Sequence, residues 1–269
     1  MRTARRVLLR RGAAAMLTVC LHVARAGAQP VPLPDAPTST ALLPRYDWNL
    51  AAAHLASADV RFDWDTRWVG TVDAAQYPGG RVTLRADYQA MLGHEVRAFD
   101  PYQSNYVLEA SGSRFVRGTE IAGVFSHVSR HLADRANRQA VAENSLGVRV
   151  LRQMPWRRWV VDARADLRHT TERAFLDYTW LAGADARAHR LVRPRLQAYG
   201  HVAADAAFVD HTLAGRGTQF GGRLETGLRL DGVRGAVEGF AGVQRMIDAD
   251  PVARGGRSWA YLGFRLLGR

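Results

Sequence analysis

Residues 158–168 read Arg158-Trp159-Val160-Val161-Asp162-Ala163-Arg164-Ala165-Asp166-Leu167-Arg168. Trp159, Val161, Ala163, Ala165 and Leu167 fall on one phase of a two-residue period, and Arg158, Asp162, Arg164, Asp166 and Arg168 fall on the other. Successive side chains of a strand point to opposite faces, so this segment predicts a strand with one apolar face and one fully charged face. A soluble sheet would turn the apolar face inward. Stripes of Ala and Gly edged with Trp and Tyr fill such a core poorly, whereas lipid accepts them, with the charge turned into a polar lumen.

The same pattern recurs along the chain. Val60, Phe62, Trp64, Thr66 and Trp68 alternate with Arg61, Asp63, Asp65 and Arg67; Val82 to Leu92 alternate with Arg81, Arg85 and Asp87; the stretches beginning at Leu176, Leu196 and Phe220 repeat it. Segments of roughly 10 to 15 residues are long for soluble strands and match tilted membrane-crossing ones. Links between them alternate in length. Long links are expected at 94–103, 133–142, 210–216 and 247–256, short ones near Phe115 to Arg117, Met154 to Trp156, Arg190 to Val192 and Gly232. Outer-membrane barrels have short periplasmic turns and longer external loops, so the C-terminus belongs on the periplasmic side. The same parity calls for a strand before the one near 59–72, and Tyr46, Trp48, Leu50 and Ala52 supply it. The expected fold is an all-β, transmembrane, antiparallel up-and-down β-barrel of about twelve strands, with ten as the fallback.

Composition narrows the functional classes. The chain has 269 residues, 47% hydrophobic and 23% charged, a mixture that folds. No run approaches the roughly 18 apolar residues of a membrane-spanning helix. Of the 37 basic residues, all arginine, six lie in residues 1–28 with no acid, leaving 31 against 25 acids afterwards. Half of the formal excess of +12 is therefore in the leader, and nucleic acid is not an expected partner. The basic start, the apolar stretch around Ala13 to Val23 and Ala26-Gly27-Ala28 read as a signal peptide over 1–28. It holds the sole cysteine, Cys20. Residues 29–43, rich in Pro, Ala, Ser and Thr, read as an exposed linker, and 44–269 as the barrel. The expected location is the outer membrane of a Gram-negative bacterium.

One cluster can carry chemistry: Phe125-Ser126-His127-Val128-Ser129-Arg130-His131-Leu132-Ala133-Asp134, followed by Glu143-Asn144-Ser145. His127, Ser129 and His131 share the phase of Ile121 and Phe125, so they form a row on one face, at the outer rim by parity. Glu143 and Asn144 open the next strand, within reach to orient an imidazole, which could in turn take the proton of a serine hydroxyl. His127, His131 and Asp134 could ligate one metal only if the strand broke, because residues 127 and 131 lie roughly 13 Å apart by rise. No cofactor or metal is expected.

His-x-Ser, an external loop and an acid at the start of the next strand resemble the outer-membrane lipid A deacylases. That resemblance implies His127 as general base, Ser129 as nucleophile and Glu143 as orienting acid, with His131, Asp134 and Asn144 as accessory groups. The family has Asn directly after the serine where this chain has Arg130, and an eight-stranded barrel. The segment also resembles an uncharacterised exported family with His-x-Ser-Ser-His-Leu-Gly-Asp-Glu, which His127, Ser129, His131, Leu132 and Asp134 match. Two expectations follow. One is a hydrolase of acyl esters in lipid A or phospholipid, with outer-membrane lipid or lipopolysaccharide as partner; the other is a non-enzymatic small porin or structural barrel with a charged lumen.

Overall fold

The computed structural model describes residues 32–133, 139, 141–213 and 215–268. The leader over 1–28 and Asp134 lie outside these residues. Twelve strands follow one another in a meander: β1 (Ala41–Leu55), β2 (Trp64–Tyr77), β3 (Gly80–Gly93), β4 (Asp100–Val116), β5 (Thr119–Leu132), β6 (Val141–Trp156), β7 (Trp159–Ala174), β8 (Tyr178–Arg193), β9 (Leu196–Val209), β10 (Gln219–Asp231), β11 (Gly235–Asp250) and β12 (Gly255–Gly268). Each pairs with its sequence neighbours, and β1 closes on β12 from Trp48 opposite Gly268 to Leu55 opposite Tyr261. Closure removes both sheet edges, the requirement for a sheet in lipid. Strands of 14 to 16 residues are about 45 to 50 Å long, enough to cross a hydrocarbon core of ~30 Å while tilted.

The alternation decides what faces where. Leu84, Leu108, Leu146, Leu167, Val202, Leu224 and Leu262 all point outward, each about half exposed or more. Trp180, Phe208 and Phe220 ring this surface toward the long-loop end, Tyr46 and Trp156 toward the short-turn end, the arrangement of aromatic belts at two membrane interfaces. The charged phase turns inward and pairs. Arg149 donates to both oxygens of Glu109 at 2.5 and 2.7 Å, and Arg67 to both of Asp87 at 2.7 and 2.6 Å. Glu238, fully buried, accepts from Arg187 and from Arg265, each at 2.6 Å. Charges buried this deeply are tolerable only because each has a partner. What remains open at the centre is a chamber of about 200 Å³ lined by such groups, including Arg85, Glu109 and Arg168.

Both ends of the lumen are covered. Leu55, Phe62, Met91, Tyr102 and Trp259 form an apolar plug at the long-loop end, with the Phe62 ring 5.3 Å from those of both Tyr102 and Trp259. The expected strand at 59–72 therefore begins later, at Trp64: Val60 to Asp63 belong to the β1–β2 loop, which carries Phe62 inward. At the opposite mouth the supposedly exposed linker is engaged. Pro32, Leu33 and Pro34 are half-buried, Arg81 donates to the carbonyls of Pro34 and Asp35 at 3.3 and 3.0 Å, and Gly79 N donates to Pro37 O. The short connections are tight turns; in the β4–β5 one, Arg117 and Gly118 both have positive φ (50° and 76°), as a two-residue hairpin requires. Three residues, 175–177, join β7 to β8 where a longer loop fits the pattern.

The β1–β2 loop is latched by charge. Arg61 donates to Asp59 through Nε at 2.9 Å and Nη2 at 2.8 Å and to Asp250 at 2.8 Å, and Arg257 pairs with Asp59 at 2.8 Å. Hydrogen bonding from Arg61 holds the Asp59 carboxyl down at about 2. A depressed carboxylate contributes stability above its ordinary value near 4 and loses it as pH falls toward its folded value. A fluorine label on Phe62 is therefore expected to keep one buried resonance from pH 7 to about pH 4 and to move toward an exposed shift between about pH 4 and 2.

Candidate functional site

The cluster lies in the last turns of β5 before the long link to β6, at the end of the barrel away from the described chain termini. His127, Ser129 and His131 share the outward phase with Ile121 and Phe125, both over 40% exposed on the apolar surface. Ser126 and Arg130, on the other phase, are buried. Cross-strand register then sets a lateral row on the outer face: Trp68 of β2 opposite Tyr88 of β3, Tyr88 opposite Tyr106 of β4, and Tyr106 opposite Ser129. Ser129 thus sits at the level of an aromatic shelf. The Tyr88 and Tyr106 rings are 5.1 Å apart, and Tyr106 meets the His131 ring edge-on at 5.9 Å.

The hydrogen bonds divide the cluster into a pair and a chain of three. Ser129 Oγ is 2.7 Å from His131 Nε2. His127 Nδ1 is 2.7 Å from Asn144 Oδ1, and Asn144 Nδ2 donates to Glu172 Oε2 at 2.7 Å. Because the Asn144 amide donates to Glu172, its oxygen is what faces the imidazole, so His127 Nδ1 must be the donor. That fixes the neutral tautomer with a bare Nε2, the form of a general base. Ser129 stands between the two imidazoles, each two residues along the strand, ~7 Å by rise. A serine hydroxyl beside one imidazole and next to a tautomer-fixed second one is an arrangement that can activate a nucleophile.

Glu143 does not join this group. The register sets Val128, not His127, opposite Glu143, and its side chain is 2% exposed, turned into the lumen. A one-residue difference in phase puts a strand residue on the other face, so the acid expected to orient His127 is replaced by its neighbour Asn144, which lies directly opposite His127. The sequence reading missed Glu172. Strict alternation along β7 would send it inward, but the register between β6 and β7 shifts between Asn144 and Ser145, where Ser145 pairs with Thr170 and Asn144 with Glu172. This bulge re-aims Glu172 outward. Its one signal in the sequence is the run Thr170-Thr171-Glu172, where the apolar phase of the strand stops. Arg130, the residue after the serine, points into the lumen and donates to the Asp248 carbonyl at 2.6 Å.

No family model and no curated protein matches the chain. The likeness to lipid A deacylases therefore rests on residues 127 to 144 alone. Among solved structures the chain is similar to the outer membrane phospholipase A from Escherichia coli, at 8% identity and a TM-score of 0.50, covering 83% of this chain and 92% of that one. It also resembles the Salmonella typhi outer membrane phospholipase dimer with bound calcium (8% identity, 83% and 90% covered, TM-score 0.49) and the Acinetobacter baumannii outer membrane protein Omp33 (10% identity, 83% and 97% covered, TM-score 0.37). At this identity the similarity concerns the fold: a closed antiparallel barrel of the outer-membrane type.

The opposite facing of the two neighbours on β6 has a direct readout. In barrels inserted in vesicles, with Cys20 replaced by Ser, Asn144→Cys is expected to react with a lipid-dissolved maleimide, and Glu143→Cys to resist it.

Proposed function

We propose that this protein is an outer-membrane acyl-ester hydrolase acting on lipid from the surface of its barrel, with phospholipid or lipid A as the substrate class. One observation carries this: a serine hydroxyl hydrogen-bonded to an imidazole, on the lipid-facing surface, at the level of an aromatic shelf. Trp and Tyr belts lie at the headgroup level of a bilayer. The ester bonds of a lipid lie just beneath its headgroups, so a nucleophile at this height meets carbonyls without lifting the lipid out of the membrane. The similarity to a phospholipase fold agrees with this reading without carrying it.

In this reading Ser129 Oγ attacks the acyl carbonyl while His127 Nε2 accepts the hydroxyl proton. A rotation about the Ser129 Cα–Cβ bond brings Oγ from His131 toward His127. The tetrahedral intermediate collapses, the proton passes from His127 to the departing alcohol, and water then releases the acyl group by the same base. Asn144 and Glu172 act as positioning residues that keep Nδ1 protonated and Nε2 free. His131 holds the hydroxyl in the resting rotamer.

A second reading, a non-enzymatic barrel, is favoured by the placement of Arg130: the residue that follows the serine faces the lumen and offers nothing to a developing oxyanion. Hydrolysis of phospholipid in mixed micelles separates the two. Ser129→Ala is expected to lower turnover at least about a thousandfold and His127→Ala about a hundredfold or more, with His131→Ala costing far less. Activity undiminished in Ser129→Ala would sink the hydrolase reading. A larger loss in His131→Ala than in His127→Ala would reverse the assignment of the base.

A further inference from the structure

The arginines of this barrel fall into two populations. Those of the lumen sit against carboxylates, as Arg149 does against Glu109 and Arg265 against Glu238. Six on the outer surface and in the turns of the short-turn end do not. Arg114 of β4, Arg152 of β6 and Arg190 of β8 all lie on the outward phase, Arg152 between the exposed Val150 and Met154, and Arg190 over the ring of Trp159 at 4.9 Å. Beside them, in three successive turns, are the exposed Arg117, Arg157 and Arg195. None of the six forms an ion pair among the described residues. The acids on the neighbouring strands, Glu120, Asp231 and Asp162, are turned inward and occupied: Glu120 with Arg81 at 3.0 Å, Asp231 with Arg229 at 2.7 Å, Asp162 with Gln153 at 2.9 Å.

The choice of residue in the turns points the same way. Arg117, Arg157 and Arg195 have φ of 50°, 57° and 67°, a left-handed backbone that Gly, Asn or Asp adopts at lower cost. Three turns that could hold a neutral residue with less strain hold a guanidinium instead.

We propose that this crescent, running from β4 to β9, binds the phosphate headgroups of anionic phospholipids in the leaflet at the short-turn end of the barrel. Three of its guanidinium groups project from the lipid-facing surface itself, among Val150, Met154, Trp156 and Trp159, rather than from the turn tips into water. An arginine there keeps its stem along acyl chains while its planar donors reach a phosphate at the interface. Arg–phosphate pairs can be bidentate, and several basic groups side by side add their attraction to an anionic surface. The crescent is at the opposite end of the strands from Ser129, so the inference stands whether or not the hydrolase reading does.

The test uses the full-length processed barrel in neutral detergent, with ether-linked phosphatidylglycerol and phosphatidylcholine, which carry no ester to hydrolyse, and native mass spectrometry to count retained lipid. Phosphatidylglycerol is expected to be retained about tenfold over phosphatidylcholine, and the preference to vanish in the triple variant Arg114→Gln, Arg152→Gln, Arg190→Gln. All three side chains point away from the lumen, and the heat-modifiable gel mobility of the variant checks that it has folded. Equal retention of the two lipids by the native barrel would overturn the proposal, as would an unchanged preference in a folded triple variant. Displacement of the lipid by millimolar inorganic phosphate at constant ionic strength would also overturn it, by assigning the site to a free anion.

Discussion

Everything in this barrel depends on the pairing of charge across a closed lumen. A strand must show one face to lipid and the other to its opposite side, and in a twelve-stranded barrel that opposite side is narrow. The lumen phase is filled with arginine and carboxylate, which are affordable there only as pairs: Glu238 shared by Arg187 and Arg265, Asp87 held by Arg67. Strand register has to be correct for those partners to meet, and a slip by one residue would turn guanidinium groups into the hydrocarbon. The ion pairs inside thus specify which residues stand outside.

The candidate site is a product of that constraint. Arg130 and Glu143 are drawn to the lumen by the same alternation that puts His127, Ser129 and Asn144 in lipid. Chemistry on the outer surface is unusual ground for polar groups, since each must find its partner on neighbouring strands rather than in a cleft. Here Asn144 satisfies His127, Glu172 satisfies Asn144, and His131 satisfies Ser129. The aromatic shelf from Trp68 to Tyr106 lies level with the group, which in the proposed reading is the height where water, headgroup and ester meet.

Much of the fold was legible because period two is a strong signal when one face must be apolar and the other charged. Residues 159–168 and 82–92 show it cleanly, and both lie inside observed strands with the expected facing, while Arg158 falls in the turn before β7. The reading failed where something other than the alternation governs the chain. Val60 and Phe62 keep the period yet belong to a loop, because an aromatic plug with Tyr102 and Trp259 outweighs two more ladder pairs. Pro32 to Pro34 have no period, yet the lumen mouth takes them up. At the site, the row His127, Ser129, His131 followed from phase alone, whereas the choice of Asn144 over Glu143 needed the register between β5 and β6, and Glu172 needed a bulge that the sequence marks only by the end of the apolar phase at Thr170.

The central claim is that Ser129 is a nucleophile facing lipid. The most direct measurement is to treat the native barrel, in detergent or vesicles, with a long-chain fluorophosphonate and map the adduct by peptide mass spectrometry. The account predicts a single stoichiometric adduct on Ser129, absent from His127→Ala. An unmodified Ser129 in a folded barrel, or labelling that persists equally without His127, would contradict it.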